Sequence, residues 1–345
     1  MYWWQVIVFP FALLFDLITR LRNLLYDLGV KKTVRFDTNV VVVGNLSIGG
    51  TGKTPMIDYL VRYFQGQDKK VCTLSRGYGR RTYGFRLATT ADTPDTIGDE
   101  PYMYLQKYHG IVPVAVGAER DLAISELLGH VPDAHAILLD DAFQHRRVTP
   151  SVSIVLTTYE NPLHRDYLLP AGRLREARRG VQRADIVVVT KCPEYMSEAD
   201  QVGMRHEIQK YTSAAVHFMT VQYDPLVSLF QNGRELKRNV LGISGMANPE
   251  PFENYLQRNY AVKHTYNYRD HYRYKPADVR DILREMDEDT SLITTEKDMV
   301  KLKQFQELRD YSCFYLPIRM KFLKDESLFL SNLESKLKNY AQEPI

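Results

Sequence analysis

Eight consecutive residues carry the plainest chemical signal in the chain: Ser47-Ile48-Gly49-Gly50-Thr51-Gly52-Lys53-Thr54. The glycines let backbone N–H groups close around phosphate oxygens. Lys53 is placed to reach the β- and γ-phosphates of a nucleotide, and Thr54 to ligate Mg²⁺. The usual pattern opens on Gly, and here Ser47 holds that place. The dimerising partition and arsenic-pump ATPases carry a Lys just before the double Gly. This chain has Ile48 there, which argues against that class. A second acidic element, Asp140-Asp141, ends the apolar run 135–139 (HAILL). A hydrophobic strand ending in Asp is the Mg²⁺-side element of phosphate-loop enzymes. Asp140 is the first candidate and Asp141 the close alternative. Thr190-Lys191-Cys192-Pro193 lacks the final Asp of the guanine-reading Asn-Lys-x-Asp sequence, so ATP is expected rather than GTP.

A phosphate loop needs a strand before it and a helix after it. Residues 38–44 (TNVVVVG) read as a strand buried on both faces, hence parallel, and 55–64 follow with helical periodicity. Short apolar runs recur at 71–74, 112–116, 135–139, 152–156 and 186–189, separated by helical stretches. This alternation predicts an α/β fold: a parallel sheet of the phosphate-loop NTPase type, sandwiched by helices. A second, smaller α/β domain is expected after residues 216–224, which read as a linker strand. New runs begin at 239–244 and recur at 292–294 and 313–316, and the chain ends in a charged amphipathic segment. The expected organisation is 1–35 as an N-terminal interface helix, 36–215 as the kinase-type domain, and 225–345 as the C-terminal domain. A return linker strand is expected near 313–320.

The remaining composition excludes more than it proposes. The 345 residues are 44% hydrophobic and 25% charged, enough for two packed domains. Three cysteines and no Cys-x-x-Cys pair exclude a disulfide scaffold and a cysteine zinc site. A net charge of +3 is too small to argue for nucleic acid. Charge is instead segregated: 161–183 hold six Arg against Asp166 and Glu176, with Tyr167 the one Phe, Trp or Tyr among them, too few to interleave with the cluster. The first fifteen residues carry no charged side chain, and Arg20, Arg22, Lys31, Lys32 and Arg35 follow. That run is too short for a confident membrane span and has no signal-peptide flanks. With Trp3, Trp4 and several Phe near basic residues, it reads as a helix lying on a membrane surface.

Longer motifs add a family resemblance. VGNLSIGGTGKTP (43–55), LSRGYGRR (74–81), GDEP (98–101), DDAFQHRRV (140–148), LLPAGRLREARR (168–179), ADIVVVTK (184–191), GISGMANPEPF (242–252), DHYRY (270–274) and TTEKDMVKL (294–302) occur in order along the chain. Together they resemble the tetraacyldisaccharide 4′-kinases, the lipid A 4′-kinase family, whose loop also opens on Ser. Two positions depart: Tyr272 stands third in the family's Asp-His-His, and Ala142 third in its Asp-Asp-Gly.

The resemblance implies two α/β/α domains joined by a two-stranded linker. It implies an enzyme at the cytoplasmic face of the Gram-negative inner membrane, using ATP and Mg²⁺. Its lipid A disaccharide precursor would receive the γ-phosphate on the 4′-hydroxyl. It pairs Asp99, which would orient or deprotonate that hydroxyl, with His271. A loose phosphoryl-transfer transition state demands little basicity, so a carboxylate suffices. Glu176 is a candidate second Mg²⁺ partner. Arg76, Arg80, Arg81, Arg146, Arg173 and Arg175 are candidates for the lipid phosphate and anionic headgroups, since Arg suits bidentate phosphate contacts. The competing reading is a membrane-associated nucleotide-switch ATPase that recruits partners, and Ile48 counts against it.

Overall fold

The computed structural model describes residues 3–230 and 232–342. The chain opens with helix α1 (Trp3–Asp27), then alternates β1 (Asn39–Asn45), α2 (Lys53–Gln65), β2 (Val71–Ser75) and the short β3 (Arg86–Leu87). Helices α3 (Pro94–Ile97) and α4 (Asp99–Tyr108) precede β4 (Val114–Val116), α5 (Arg120–His130), β5 (Ala136–Asp140) and β6 (Val152–Thr158). Next come β7 (Ile186–Thr190), α6 (Glu198–Gln209) and the long β8 (Ala215–Tyr223). Strands β1, β2, β5, β6 and β7 are Val-, Ile- and Leu-rich and almost wholly buried, as a parallel sheet covered on both faces requires.

The chain then crosses into a second sheet. It contains β9 (Val227–Ser228), β10 (Asn239–Ser244), α7 (Glu250–Asn259), β11 (Ala261–Asn267), α8 (Pro276–Arg284), β12 (Thr290–Thr295), α9 (Glu296–Leu302) and β13 (Cys313–Leu316). It returns through β14 (Ile318–Phe322) into helix α10 (Glu326–Gln342). Among the described residues the first sheet has nine strands, ordered β14-β8-β7-β6-β1-β5-β2-β4-β3, and the second five, ordered β11-β10-β12-β13-β9. Strand β8 pairs in parallel with β7 and antiparallel with β14, so outgoing and returning segments lie side by side at the sheet edge.

Two expectations are corrected here. Residues 313–316 belong to the second sheet, and the returning strand is 318–322. The C-terminal helix does not cover the second sheet. Phe329, Leu333, Leu337 and Tyr340 of α10 are buried, Phe329 packs against Tyr59 of α2, and Tyr340 bonds the backbone of Phe36. Burying that apolar stripe requires a partner face, and the first sheet supplies it.

Helix α1 contains the uncharged stretch. Its C-terminal half is tied down: Arg22 donates to the Gln144 carbonyl (2.6 Å), Asn23 to Glu176 (3.1 Å), and Arg146 to the Asn23 carbonyl (2.9 Å) and Asp27 (2.7 Å). Ile7, Phe11, Leu14, Leu17, Ile18 and Leu21 are each more than half exposed. The side chains of Trp3 and Trp4 lie outside the described residues. No described helix is long and apolar enough to cross a membrane.

Candidate active site

Strand β1 delivers the chain into the phosphate loop. Gly49 and Gly52 adopt φ of +105° and +88°, the left-handed region open to glycine. A Cβ at Gly49 would meet nothing within 4 Å, so the space beside this turn is open. Asn45, the last residue of β1, donates to Thr51 Oγ1 (2.9 Å) and accepts from Lys53 Nζ (3.5 Å), which sets the shape of the loop. The Gly172–Glu176 segment forms its wall: Ile48 N donates to the Arg173 carbonyl (2.8 Å) and Arg175 N to the Leu46 carbonyl (2.7 Å).

Asp140 ends β5 and Asp141 follows in a left-handed conformation, φ +50°. The two acids have different surroundings. Burial, then the charge of Glu100, pushes the Asp140 carboxyl well above the usual carboxylate range. Burial also opposes ionisation of Asp141, but the hydrogen bond from Arg175 (2.7 Å) and the charge of Lys53 (3.7 Å) outweigh it, and its carboxyl sits low. Among the described residues Asp140 Oδ1 has no hydrogen-bond partner. A buried acid with an orphaned oxygen, linked through the Tyr104 hydroxyl to the backbone of Thr54 at the start of α2, fits a Mg²⁺ ion. No three His, Cys, Asp or Glu side chains among the described residues form a ready-made cage. Mg²⁺ bound through one or two carboxylates plus substrate phosphates needs none.

Helix α4 ties the phosphate loop to the second sheet. Its first residue is Asp99. Five residues on, the buried Tyr104 hydroxyl lies 3.4 Å from the Thr54 carbonyl and 3.3 Å from Asp140 Oδ2. Asp99 Oδ2 is 3.4 Å from Nδ1 of His271, which arrives from the second sheet at φ +55°. Burial opposes charge on Asp99, but the His271 hydrogen bond and the Lys301 ammonium prevail and hold its carboxyl below the usual range. The exposed Tyr78 ring sits 5.6 Å from the His271 ring. Arg273 donates to the Gly79 carbonyl (3.2 Å) and pairs with Asp95 (3.2 Å), so the 74–81 loop also meets the second sheet.

The chain matches the tetraacyldisaccharide-1-P 4′-kinase family over residues 4–338. It belongs to the tetraacyldisaccharide 4′-kinases. It is 40% identical over 329 residues to the tetraacyldisaccharide 4′-kinase of Flavobacterium johnsoniae, covering 94% of each chain. It is 37% identical over 343 residues to that of Cytophaga hutchinsonii, covering 96% of each. A crystal structure of LpxK from Aquifex aeolicus in complex with ATP superposes with a TM-score of 0.77 at 28% identity, covering 96% of this chain and 99% of that one.

Within this family member the other candidate residues divide. Arg76 and Arg80 share the electrostatic neighbourhood of Arg120, which also feels Asp140 and Asp141. Arg120 was not among the expected residues; burial pushes its guanidinium down to about 10. Arg175 braces Asp141 and Asn45. Arg173 pairs with Asp166 (3.1 Å), Arg81 lies 3.5 Å from Asp95, and Arg146 is engaged with α1. Glu176 has no bond to Thr54 among the described residues. It is buried and accepts from Arg183 (2.8 and 2.9 Å), Gln144 (3.0 Å) and Asn23 (3.1 Å), a bracing role between the wall segment and α1. Sequence reasoning also passed over Lys297 and Lys301, although both lie inside a quoted motif, TTEKDMVKL.

Proposed function

We propose that this kinase transfers the γ-phosphate of ATP to the 4′-hydroxyl of tetraacyldisaccharide 1-phosphate, forming lipid IVA at the cytoplasmic face of the bacterial inner membrane. The observation that carries the reading is the double engagement of α4. Asp99 stands at its first turn, and Tyr104 on the same helix bonds both the Thr54 carbonyl and Asp140. One rigid element therefore fixes the acceptor-side acid relative to the phosphate loop, the positioning that phosphoryl transfer depends on.

The residues then take these roles. Backbone N–H groups of residues 48–54 cradle the phosphates, and Lys53 turns from Asp141 and Asn45 toward the γ-phosphate. Thr54 and Asp140 would hold Mg²⁺, and Asp141, the other acid at the end of β5, is the alternative ligand. When bound with ATP, the metal neutralises charge on the β- and γ-phosphates. Asp99 takes the proton of the 4′-hydroxyl as that oxygen forms its bond to phosphorus; the bond from phosphorus to the bridging oxygen breaks, and ADP leaves. His271 holds the carboxylate in line. Arg76 and Arg80 suit the anionic groups of donor and acceptor.

The acceptor's acyl chains lie in a bilayer, so the reaction belongs at a membrane surface. The exposed apolar face of α1 supports that placement. Burying Phe11, Leu14, Leu17 and Leu21 at ~25 cal/mol per Å² gives on the order of several kcal/mol, enough for peripheral binding. A thin-layer assay with γ-³²P-ATP, Mg²⁺ and tetraacyldisaccharide 1-phosphate tests the reading. A labelled lipid product supports it, and ATP hydrolysis without labelled lipid rejects it.

A further inference from the structure

Helix α9 places two lysines one turn apart, on one face, against the Asp99–His271 pair. Lys301 is buried, and its three N–H donors have three acceptors: Asp99 Oδ2 at 3.4 Å, Asp298 Oδ1 at 3.3 Å and the Tyr272 carbonyl at 3.1 Å. Asp298 is fully buried and fixed in turn by Gly245 N (2.7 Å) and Thr295 Oγ1 (2.7 Å). Lys297 Nζ lies 3.3 Å from His271 Nε2 and 2.6 Å from Asp270 Oδ1. An ammonium only donates, so Nε2 accepts from Lys297 and Nδ1–H is left to donate to Asp99. A second ion pair aligns the helices: Lys107, near the end of α4, meets Glu296, at the start of α9, at 2.7 Å. Acid and base thus alternate at both ends of an antiparallel α4–α9 seam.

We infer that Lys301 and Lys297 of α9 are positioning residues for phosphoryl transfer, Lys301 holding Asp99 as an ionised carboxylate and Lys297 fixing the His271 tautomer that bonds it. This rests on the reading of Asp99 as the acceptor-side base. The groups facing Asp99 are His271 and Lys301 directly, Glu100 beside it on α4, and Asp270, Lys297 and Asp298 behind them. Lys301 carries the nearest positive charge of fixed geometry. Its removal should move proton uptake by Asp99 to higher pH.

The test compares native enzyme with Lys301→Met, Lys301→Arg, Lys297→Met and Glu296→Gln. We expect Lys301→Met to lose at least tenfold in kcat, with KM for ATP within about twofold. The acidic limb of its pH profile should rise by one pH unit or more, and Lys301→Arg should restore part of both. Lys297, on a partly exposed site, should cost three- to tenfold in kcat when replaced by Met, with the fold intact. Glu296→Gln loses the far ion pair, so it should lower the melting temperature and leave the acidic limb in place. Carbon-13 NMR of the Asp99 carboxyl, assigned with Asp99→Asn and read without substrate, follows the same titration independently of turnover. A native enzyme that phosphorylates no lipid rejects the function while this titration still decides the inference. An Asp99 titration and acidic limb unmoved in folded Lys301→Met, or unchanged kcat in Lys297→Met, overturns it.

Discussion

The Tyr104 hydroxyl stands 3.3 Å from Asp140 Oδ2, inside the protein, on the helix that begins with Asp99. Through this hydroxyl Asp140 and the helix that carries Asp99 touch each other. Tyr104→Phe keeps the packing and deletes the bond. It should cost about 1–3 kcal/mol in stability and raise KM for Mg·ATP several-fold. Denaturant unfolding and steady-state kinetics read both. A variant with native KM and native stability would mean the contact orients nothing.

The proposed function assigns Lys53 and Thr54 to phosphate and metal, not to the core. Lys53→Ala and Thr54→Ala should each lower kcat by at least a hundredfold, with melting temperatures within a few degrees of native. Near-native turnover of Lys53→Ala would refute the assignment of the loop.

The apolar face of α1 predicts a separable phenotype. Replacing Phe11, Leu14, Leu17 and Leu21 by Gln keeps helix propensity and removes the face. The variant should no longer sediment with anionic vesicles. Its KM for lipid should rise at least tenfold while KM for ATP stays unchanged. Retained sedimentation and lipid KM would assign α1 to another role.

Stability should fall on mild acidification, and His217 is one cause. Burial, then the positive charge of Arg205, holds its imidazole down to about 4, with Phe322 and Phe329 edge-on and Asn332 Nδ2 at 3.4 Å from Nε2. Between about pH 6.5 and 4 the unfolded chain binds a proton there that the folded chain refuses. Folding therefore weakens as pH falls through that window, by on the order of 1–3 kcal/mol. Partial burial of His135 and His145 and burial of His164 act in the same direction. Urea midpoints at pH 7 and 5 should differ less in His217→Gln than in the native protein; an equal difference would remove His217 from the account.

The phosphate loop was legible because its chemistry is local: glycines, Lys53 and Thr54 are neighbours, and buried parallel strands leave unbroken apolar runs. Asp99 and His271 are 172 positions apart, and no spacing rule joins them; only the family resemblance did. The partners of Glu176 were not legible, because Arg183, seven residues later, folds back to it through the short helical turn Arg178–Arg183. Strand β11 escaped notice because an edge strand with Lys263, His264 and Thr265 lacks an apolar run. The place of α10 was hidden for a different reason. An amphipathic stripe specifies that a face will be buried, not which sheet will cover it.

The central claim is that the acceptor-activating pair is assembled from both sheets and works as one unit. A double-mutant cycle on kcat with Asp99→Ala, His271→Ala and the double variant tests it most directly. The account predicts that each single change costs a hundredfold or more with little change in KM for ATP, and that the double variant is scarcely slower than the worse single one. Losses that multiply fully would show that Asp99 and His271 act independently, and the account of the site would be wrong.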